Sequence, residues 1–345
     1  MKVTLLVPKR LKRLKVNQWK YFNVKKNFDI IFLPTLDFYG TPFLRRGAFI
    51  GSYIVFSFSC LFYLIRNARK DDLIYSNETI PLLFASCVFS DTFYEVHNFP
   101  ERNRLMYKIL FKRLKWVLAT NRWKKEKLQK VFDLPLSKII HEPNAVEIGD
   151  FNINITKSEA RKQLGLSQTA KIAVYTGHLY SWKGVDTLAE SAKEIPEVLI
   201  FFIGGTDKDI KNFRDTYGNI KNIHIVGHKP HDEIPVWQKA ADVLVLPNTA
   251  KEDISKYYTS PMKLFEYMAS GTPIVASNIP SVAEILNTEN SVLSDADNSK
   301  MLAEKINWVL SNTQQSNILS AKALGDVKKY SWEDRAKRIM QFIEN

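Results

Sequence analysis

Residues 257–285 read YYTSPMKLFEYMASGTPIVASNIPSVAEI, and the fold is decided there. An apolar run, 243–247, precedes them, and a second, 274–276, lies within them. Between these two strand candidates come a polar loop, a helix start and a short helix. Ser260 suits an N-cap, and Pro261 the first helical position, where no N–H is needed. Gly271 fits the residue past the helix end, and Pro273 closes it. The stretch therefore predicts a strand–loop–helix–strand unit with a helix of about three turns.

A helix N-terminus at the tip of such a unit offers free amides and the positive end of a dipole, which together attract anions. Lys263 falls in the first turn, where a cation is ordinarily disfavoured. A bound anion removes that conflict. Glu266 follows three residues later on the same face. Phosphate at the tip and a carboxylate one turn further suit a nucleotide, the carboxylate accepting from ribose hydroxyls. The plainer reading is a Lys–Glu surface pair, which is common on helices.

These residues resemble the signature of the retaining GT-B glycosyltransferases of family 4, the glycosyl transferases group 1 domain. That signature has two Glu separated by seven residues, then a small residue, Gly, any residue, Pro and an apolar run. This chain has Glu266, then Ser270, Gly271, Thr272, Pro273, Ile274 and Val275. The earlier Glu falls on Tyr258, a departure at the place the family sets against the donor sugar. The run Ser260-Pro261-x-Lys263-x-x-Glu266 is similar to that of a sub-group of the family.

The charge is divided unevenly. Residues 1–150 hold 26 Lys and Arg against 13 Asp and Glu, whereas residues 151–345 hold 23 of each. The whole net charge of +13 therefore lies on the first half. Such a face suits an anionic membrane surface, an acidic glycan or a nucleic acid. A length of 345 residues suggests two domains, and 45% hydrophobic with 25% charged residues suits a globular protein. Cys60 and Cys87 lie in apolar runs and imply neither a disulfide framework nor a metal cluster. They fit a reducing compartment, and no signal peptide is read before the first strand.

Residues 48–65, AFIGSYIVFSFSCLFYLI, carry no charge and are flanked by Arg45, Arg46 and Arg66. Their length reaches the lower edge of a membrane span. The run contains three serines and sits between two strand candidates, so a buried or interfacial helix is expected in preference to a span. Strands are expected at 3–7, 30–33, 73–75, 93–96, 117–119 and 139–141, with helices between most of them. This alternation argues for a parallel sheet covered on both faces. The loop Pro8-Lys9-Arg10 lacks the glycines the family often uses; Gly40 or Gly47 is the substitute for a phosphate approach.

His97 ends the run Phe93-Tyr94-Glu95-Val96-His97, at the carboxyl tip of a strand where ligands of open α/β sheets gather. The family carries a similar ending whose His lies close to the transferred sugar. The resemblance makes His97 a candidate contact to donor or acceptor, with Glu95 on the same face. Asn144-Ala145-Val146-Glu147 resembles the family's junction between domains.

Gly177-His178-Leu179-Tyr180-Ser181-Trp182-Lys183-Gly184 follows a strand at 172–175. In the family a Gly, a basic residue and a Lys-Gly pair at this spacing bind the donor diphosphate. Lys183 matches the Lys; His178 stands where Arg is usual, so its charge depends on pH. Two cations from one strand-to-helix loop can meet a pyrophosphate at a helix N-terminus. Gly227-His228-Lys229 follows another strand, and the resemblance sets the nucleobase against this loop. Asp207-Lys208-Asp209 mimics a metal motif of a different glycosyltransferase class, whereas the GT-B pattern requires no metal.

The expectation is thus an α/β chain of two Rossmann-like domains facing across a cleft. Residues 1–150 form an acceptor domain, 151–329 a nucleotide-sugar domain, and 330–345 a helix crossing back. The resemblance implies a metal-independent, retaining transfer from a nucleotide-sugar to a hydroxyl of a glycan or lipid-linked acceptor. The implied setting is cell-surface polysaccharide synthesis, in the cytoplasm at the inner face of the membrane. Catalytic candidates are His97, Lys183, Lys263 and Glu266. Donor contacts are expected from Gly177, His178, Lys183, Gly227, Lys229, Tyr258, Thr259, Ser260, Lys263 and Glu266. No cofactor is expected beyond the donor. The alternatives are a nucleotide- or nucleic-acid-binding protein without catalysis, and an epimerase or phosphorylase on the same fold. The joint presence of Lys183, Lys263 and Glu266 argues against a nucleic-acid partner.

Overall fold

Short runs rich in β-branched and aromatic residues become strands here, and the polar segments between them become helices or turns. The structure is a computed structural model that describes residues 2–10, 19, 24–36 and 45–344, so Gly40 lies outside the described residues. The chain divides into two compact units. One comprises residues 1–96, 100–118 and 129–139; the other comprises 97–99, 119–128 and 140–345.

In the first unit, β1 (Thr4–Pro8) and β2 (Asp29–Leu33) pair in parallel as a two-stranded sheet. Over residues 74–141 a second sheet has the order β3 (Ile74–Ser76), β4 (Thr92–Val96), β5 (Trp116–Ala119), β6 (Ile139–His141). β3 and β4 run parallel. Among the described residues, the strands of the first half therefore form two sheets rather than one. The apolar run at 48–65 lies in a 23-residue helix, Arg45–Asn67. One of its sides is packed. Ser52, Ser57 and Cys60 are buried, and the Thr35 hydroxyl donates to the Ser52 carbonyl. The Ser59 hydroxyl donates to the Pro34 carbonyl at 2.9 Å. The other side, carrying Ile54, Phe58, Phe62 and Ile65, is exposed.

The second unit is built on a six-stranded parallel sheet. Its order is β12 (Val292–Ser294), β11 (Ile274–Ser277), β10 (Val243–Leu246), β7 (Lys171–Thr176), β8 (Val198–Ile203), β9 (Ile223–Gly227). The chain starts at β7, runs outward to β9, then returns to the other side of β7. The switch point lies between β7 and β10, where open α/β sheets place their ligands. Both faces are covered, which is why the strands read as continuous apolar runs. Alternation sends Ile172 and Val174 into one core and Ala173 and Tyr175 into the other.

At the switch point, Gly184 has a φ of +73°, and a Cβ there would lie 1.8 Å from the Pro247 carbonyl oxygen. Glycine alone allows the loop after β7 to lie on the end of β10 in this way. The helix Trp332–Glu344 is also part of this unit. Arg338 grips the Glu142 carboxylate with two bonds of 2.8 Å, and Arg335 donates to the Pro143 carbonyl.

Candidate functional site

Helix Met262–Ser270 ends as its sequence demands, with Gly271 at φ +68°. Its start differs from the sequence reading by one residue. Pro261 is the N-cap, and no side chain caps the helix. The Ser260 hydroxyl instead accepts from the Asn144 N–H at 3.0 Å, and the Asn144 amide donates to the Ser260 carbonyl at 2.7 Å. A partner distant in the chain thus outcompetes the local cap, and the first-turn amides are left uncapped by side chains.

Lys263, in that first turn, is 8% exposed. Its Nζ is buried without a hydrogen-bond partner. It lies 3.7 Å from the centre of the Tyr175 ring, on β7. A Cβ on Gly177 would stand 3.5 Å from it, so the loop after β7 runs directly past the ammonium. Burial, with the nearby Lys183 charge, holds the Lys263 ammonium well below its ordinary pKa, and Glu266 opposes both. Lys183 is also lowered by burial, again against Glu266. The structure therefore brings Lys183, Lys263 and Glu266 into one electrostatic cluster at the carboxyl edge of β7. Two cations face one carboxylate, and the surplus is positive.

The Glu266 side chain is only 14% exposed, and its Oε1 is 4.0 Å from Nε2 of His231. That is an ion-pair distance, long for a hydrogen bond. The carboxylate nevertheless raises the His231 imidazole above its ordinary value. Sequence reasoning missed His231, which lies in a short turn whose residues follow no motif.

The glycines form a close backbone floor. Gly204 has φ +119°, and a Cβ there would lie 2.4 Å from the Gly177 carbonyl oxygen. Gly227 has φ +85°, and its carbonyl accepts from the Gly204 N–H. His178 is exposed and stacks on Tyr180 at 4.9 Å, while its carbonyl accepts from the Tyr175 hydroxyl. Lys229 pairs within its own turn with Glu233, at 3.8 Å.

Tyr258 and Thr259 belong to the approach to the helix. Tyr258 packs on Trp123 at 4.8 Å, and the carbonyls of Tyr257 and Thr259 both accept from the Asn121 amide. Asn121 was also missed, although an Asn after the apolar strand β5 repeats the polar ending seen at His97. His97 is exposed at the tip of β4. Its carbonyl accepts from Nζ of Lys124, a fully buried lysine. Asp209 closes a capping box with Thr206 on helix Asp207–Tyr217, which accounts for that carboxylate locally.

Residues 156–325 match the model of the family described as glycosyl transferases group 1. A protein of Methanocaldococcus jannaschii, named an uncharacterized glycosyltransferase, is 26% identical over 231 residues. The alignment covers 64% of this chain and 57% of that protein. The chain spans about half the length of the curated relatives it matches. Sucrose-phosphate synthase of Thermosynechococcus elongatus superposes with a TM-score of 0.75 at 19% identity, over 93% of this chain and 84% of that one. HepE of Anabaena, solved in complex with UDP, gives 0.74 at 15% identity over the full length of both. These neighbours share the GT-B fold of two Rossmann-like domains. Together, the match over residues 156–325 and this shared fold support a group 1 glycosyltransferase.

Proposed function

We propose that the chain transfers a glycosyl group from a nucleoside-diphosphate sugar to a hydroxyl of a glycan or lipid-linked acceptor. One observation carries this reading: the buried Lys263 ammonium has no hydrogen-bond partner and points past Gly177, beside Lys183. A buried cation without a hydrogen-bond partner, near a second cation, is costly and invites an anion. A diphosphate supplies it, and the uncapped amides of helix Met262–Ser270 add to the attraction.

In the proposed reaction the bond from the anomeric carbon to the phosphate oxygen breaks, and a bond to the acceptor oxygen forms. The acceptor proton passes to the departing phosphate, and the nucleoside diphosphate leaves. Lys183 and Lys263 neutralise the charge growing on that phosphate, where stabilisation counts most. Glu266 receives the ribose hydroxyls, and His97 contacts the sugar. Attack from the same face as departure gives retention. The two lysines supply the positive charge, so the proposal includes no metal. HepE has been solved with UDP and with UDP-glucose, which supports a uridine nucleotide as the first donor to try.

Residues 1–150 are proposed to take the acceptor, at the inner face of a membrane, in the synthesis of a cell-surface polysaccharide. Helix Arg45–Asn67 supports this placement. Residues Phe49–Asn67 are long and apolar enough to cross a membrane, yet only 17% of that window is buried. Its exposed residues Ile54, Phe58, Phe62 and Ile65 recur at helical spacing on one side. An interfacial helix has this form: one packed face, one apolar face and flanking cations.

The test is a thermal-shift series with UDP, GDP, ADP and CMP, followed by nucleoside-diphosphate release in the presence of donor and acceptor. A diphosphate is expected to raise the melting temperature by mass action. A chain indifferent to all four nucleotides, or one that binds them equally well as Lys263→Ala, sinks the proposal.

A further inference from the structure

Beside the loop 177–184 lies a cavity of about 480 Å³, of the size that takes a small ligand. Its walls include Tyr180, Trp182, Asp186, Asp209, Asn212 and Tyr217. No Lys, Arg or His stands among the described residues that line it. Two carboxylates without a cation repel phosphate, so the cavity is not a continuation of the lysine cluster. The same polar groups make it a poor host for an apolar ligand.

Two of its lining rings, Tyr180 and Trp182, belong to a row of three. His178, Tyr180 and Trp182 alternate along the loop and stack in a row, with centroids 4.9 and 6.2 Å apart and planes within 5° and 24°. Trp182 is also 4.6 Å, ring centre to Nζ, from Lys183. One ring therefore walls both the cavity and the lysine cluster. Flat rings beside carboxylates and an amide fit a pyranose. Its C–H face rests on the ring. Its neighbouring hydroxyls donate to carboxylate oxygens, which accept strongly. Burial, with the neighbouring Asp186 carboxylate, pushes the Tyr217 hydroxyl up to about 12.

We propose that this cavity is a saccharide subsite, and that it takes a neutral glycan away from the place given to the reacting acceptor in residues 1–150. The saccharide site stands on the cavity itself and does not rest on the transfer reaction proposed above. Trp182 then serves two purposes, as platform for the glycan and as neighbour of the lysine that receives the leaving phosphate.

The test uses the full chain and saturation-transfer NMR. The probes are the neutral tetrasaccharides maltotetraose, cellotetraose, chitotetraose and mannotetraose, with a heparin-derived tetrasaccharide as anionic control. Saturation of at least one neutral chain, severalfold above the heparin fragment, is expected. Thr216→Trp fills the cavity from exposed helix surface and is expected to abolish the signal, while its UDP thermal shift stays that of the wild type. Asn212→Ala, a milder change, is expected to weaken the signal severalfold. The proposal is overturned if no neutral chain is saturated, if the heparin fragment is preferred, or if both variants keep the wild-type signal. Loss of the UDP response in the wild type with saccharide binding intact would instead count against the donor reading alone.

Discussion

Two helices of this chain invert the usual relation between composition and burial. Helix Arg45–Asn67 has an uncharged interior and exposes Phe58 and Phe62, each 57% accessible. Helix Met262–Ser270 contains Lys263 and Glu266, yet seven of its nine residues are buried, the lysine among them. In each case the side chain is misplaced for a chain alone in water. The difference is in what would correct it: an apolar phase for the first, an anion for the second. A residue whose environment contradicts its chemistry is a better guide to a ligand than one that merely matches a motif.

The contrast is broken most sharply on the first helix. Phe58→Asp with Phe62→Asp is expected to abolish pelleting with anionic vesicles at low salt. Each ring contributes about 1.5–3 kcal/mol when fully removed from water. Both sites are exposed, and Phe58 loses only its ring contact with Phe84 at 4.9 Å, so the melting temperature should fall modestly. Pelleting by the double variant equal to wild type would remove the membrane reading. Pelleting of the wild type that resists high salt would favour insertion of the helix over surface binding.

The second helix yields a smaller but two-sided effect. Lys263→Met is expected to lose about 1.5–3 kcal/mol of UDP affinity, roughly tenfold to a hundredfold, in calorimetric titration. The same change is expected to raise the melting temperature of the free protein, since it removes a buried ammonium that has no hydrogen-bond partner and lies near a second cation. A variant that both binds UDP normally and melts no higher would show Lys263 to be ordinary.

Glu266→Gln sharpens the assignment further. It is expected to cost about 1.5 kcal/mol with UDP and much less with the 2′,3′-dideoxy analogue, because only UDP offers the ribose hydroxyls. Equal losses would make the carboxylate structural. The pH response separates the partners. His231 is raised by Glu266, so the stability the pair contributes is complete below the unfolded value of about 6.5. It is lost as pH rises through the higher folded value.

The smallest expected effect is a fraction of a proton. Burial lowers Lys183 and Lys263 in the free protein, and a bound diphosphate favours their charged forms. UDP binding above neutral pH should therefore take up protons, and affinity should fall as pH climbs through the lowered values. Titrations in two buffers of different ionisation enthalpy read this directly; proton release would reverse the assignment. The free protein has the opposite trend at these sites. Depressed lysine values mean that the unfolded chain holds more protons there, so this contribution to stability rises with pH up to the unfolded value of about 10.4.

Much of the site was legible because it is local. Gly271 ends its helix as read, since a left-handed residue at that point favours glycine. Lys263 and Glu266 share a face because helical spacing requires it. The cap was misread because the competing partner, Asn144, lies 116 residues away. Asn121 and His231 were missed for the same reason: each acts through a neighbour distant in sequence, Asn121 across 136 residues to Tyr257.

The sequence by itself determined the alternation of strands and helices, the uneven charge of the two halves and the residues proposed to meet a phosphate. These follow from periodicity, turn chemistry and composition, which act over a few residues. Tertiary structure decided which of those residues meet. The return of the chain from β9 to β10 sets the two loops side by side at the switch point, where Gly184 lies on Pro247. It also decided that Lys263 is buried against Tyr175 without a hydrogen-bond partner, and that the aromatic side of helix Arg45–Asn67 is left open. Burial depends on what packs from elsewhere in the chain, and no local pattern contains that information.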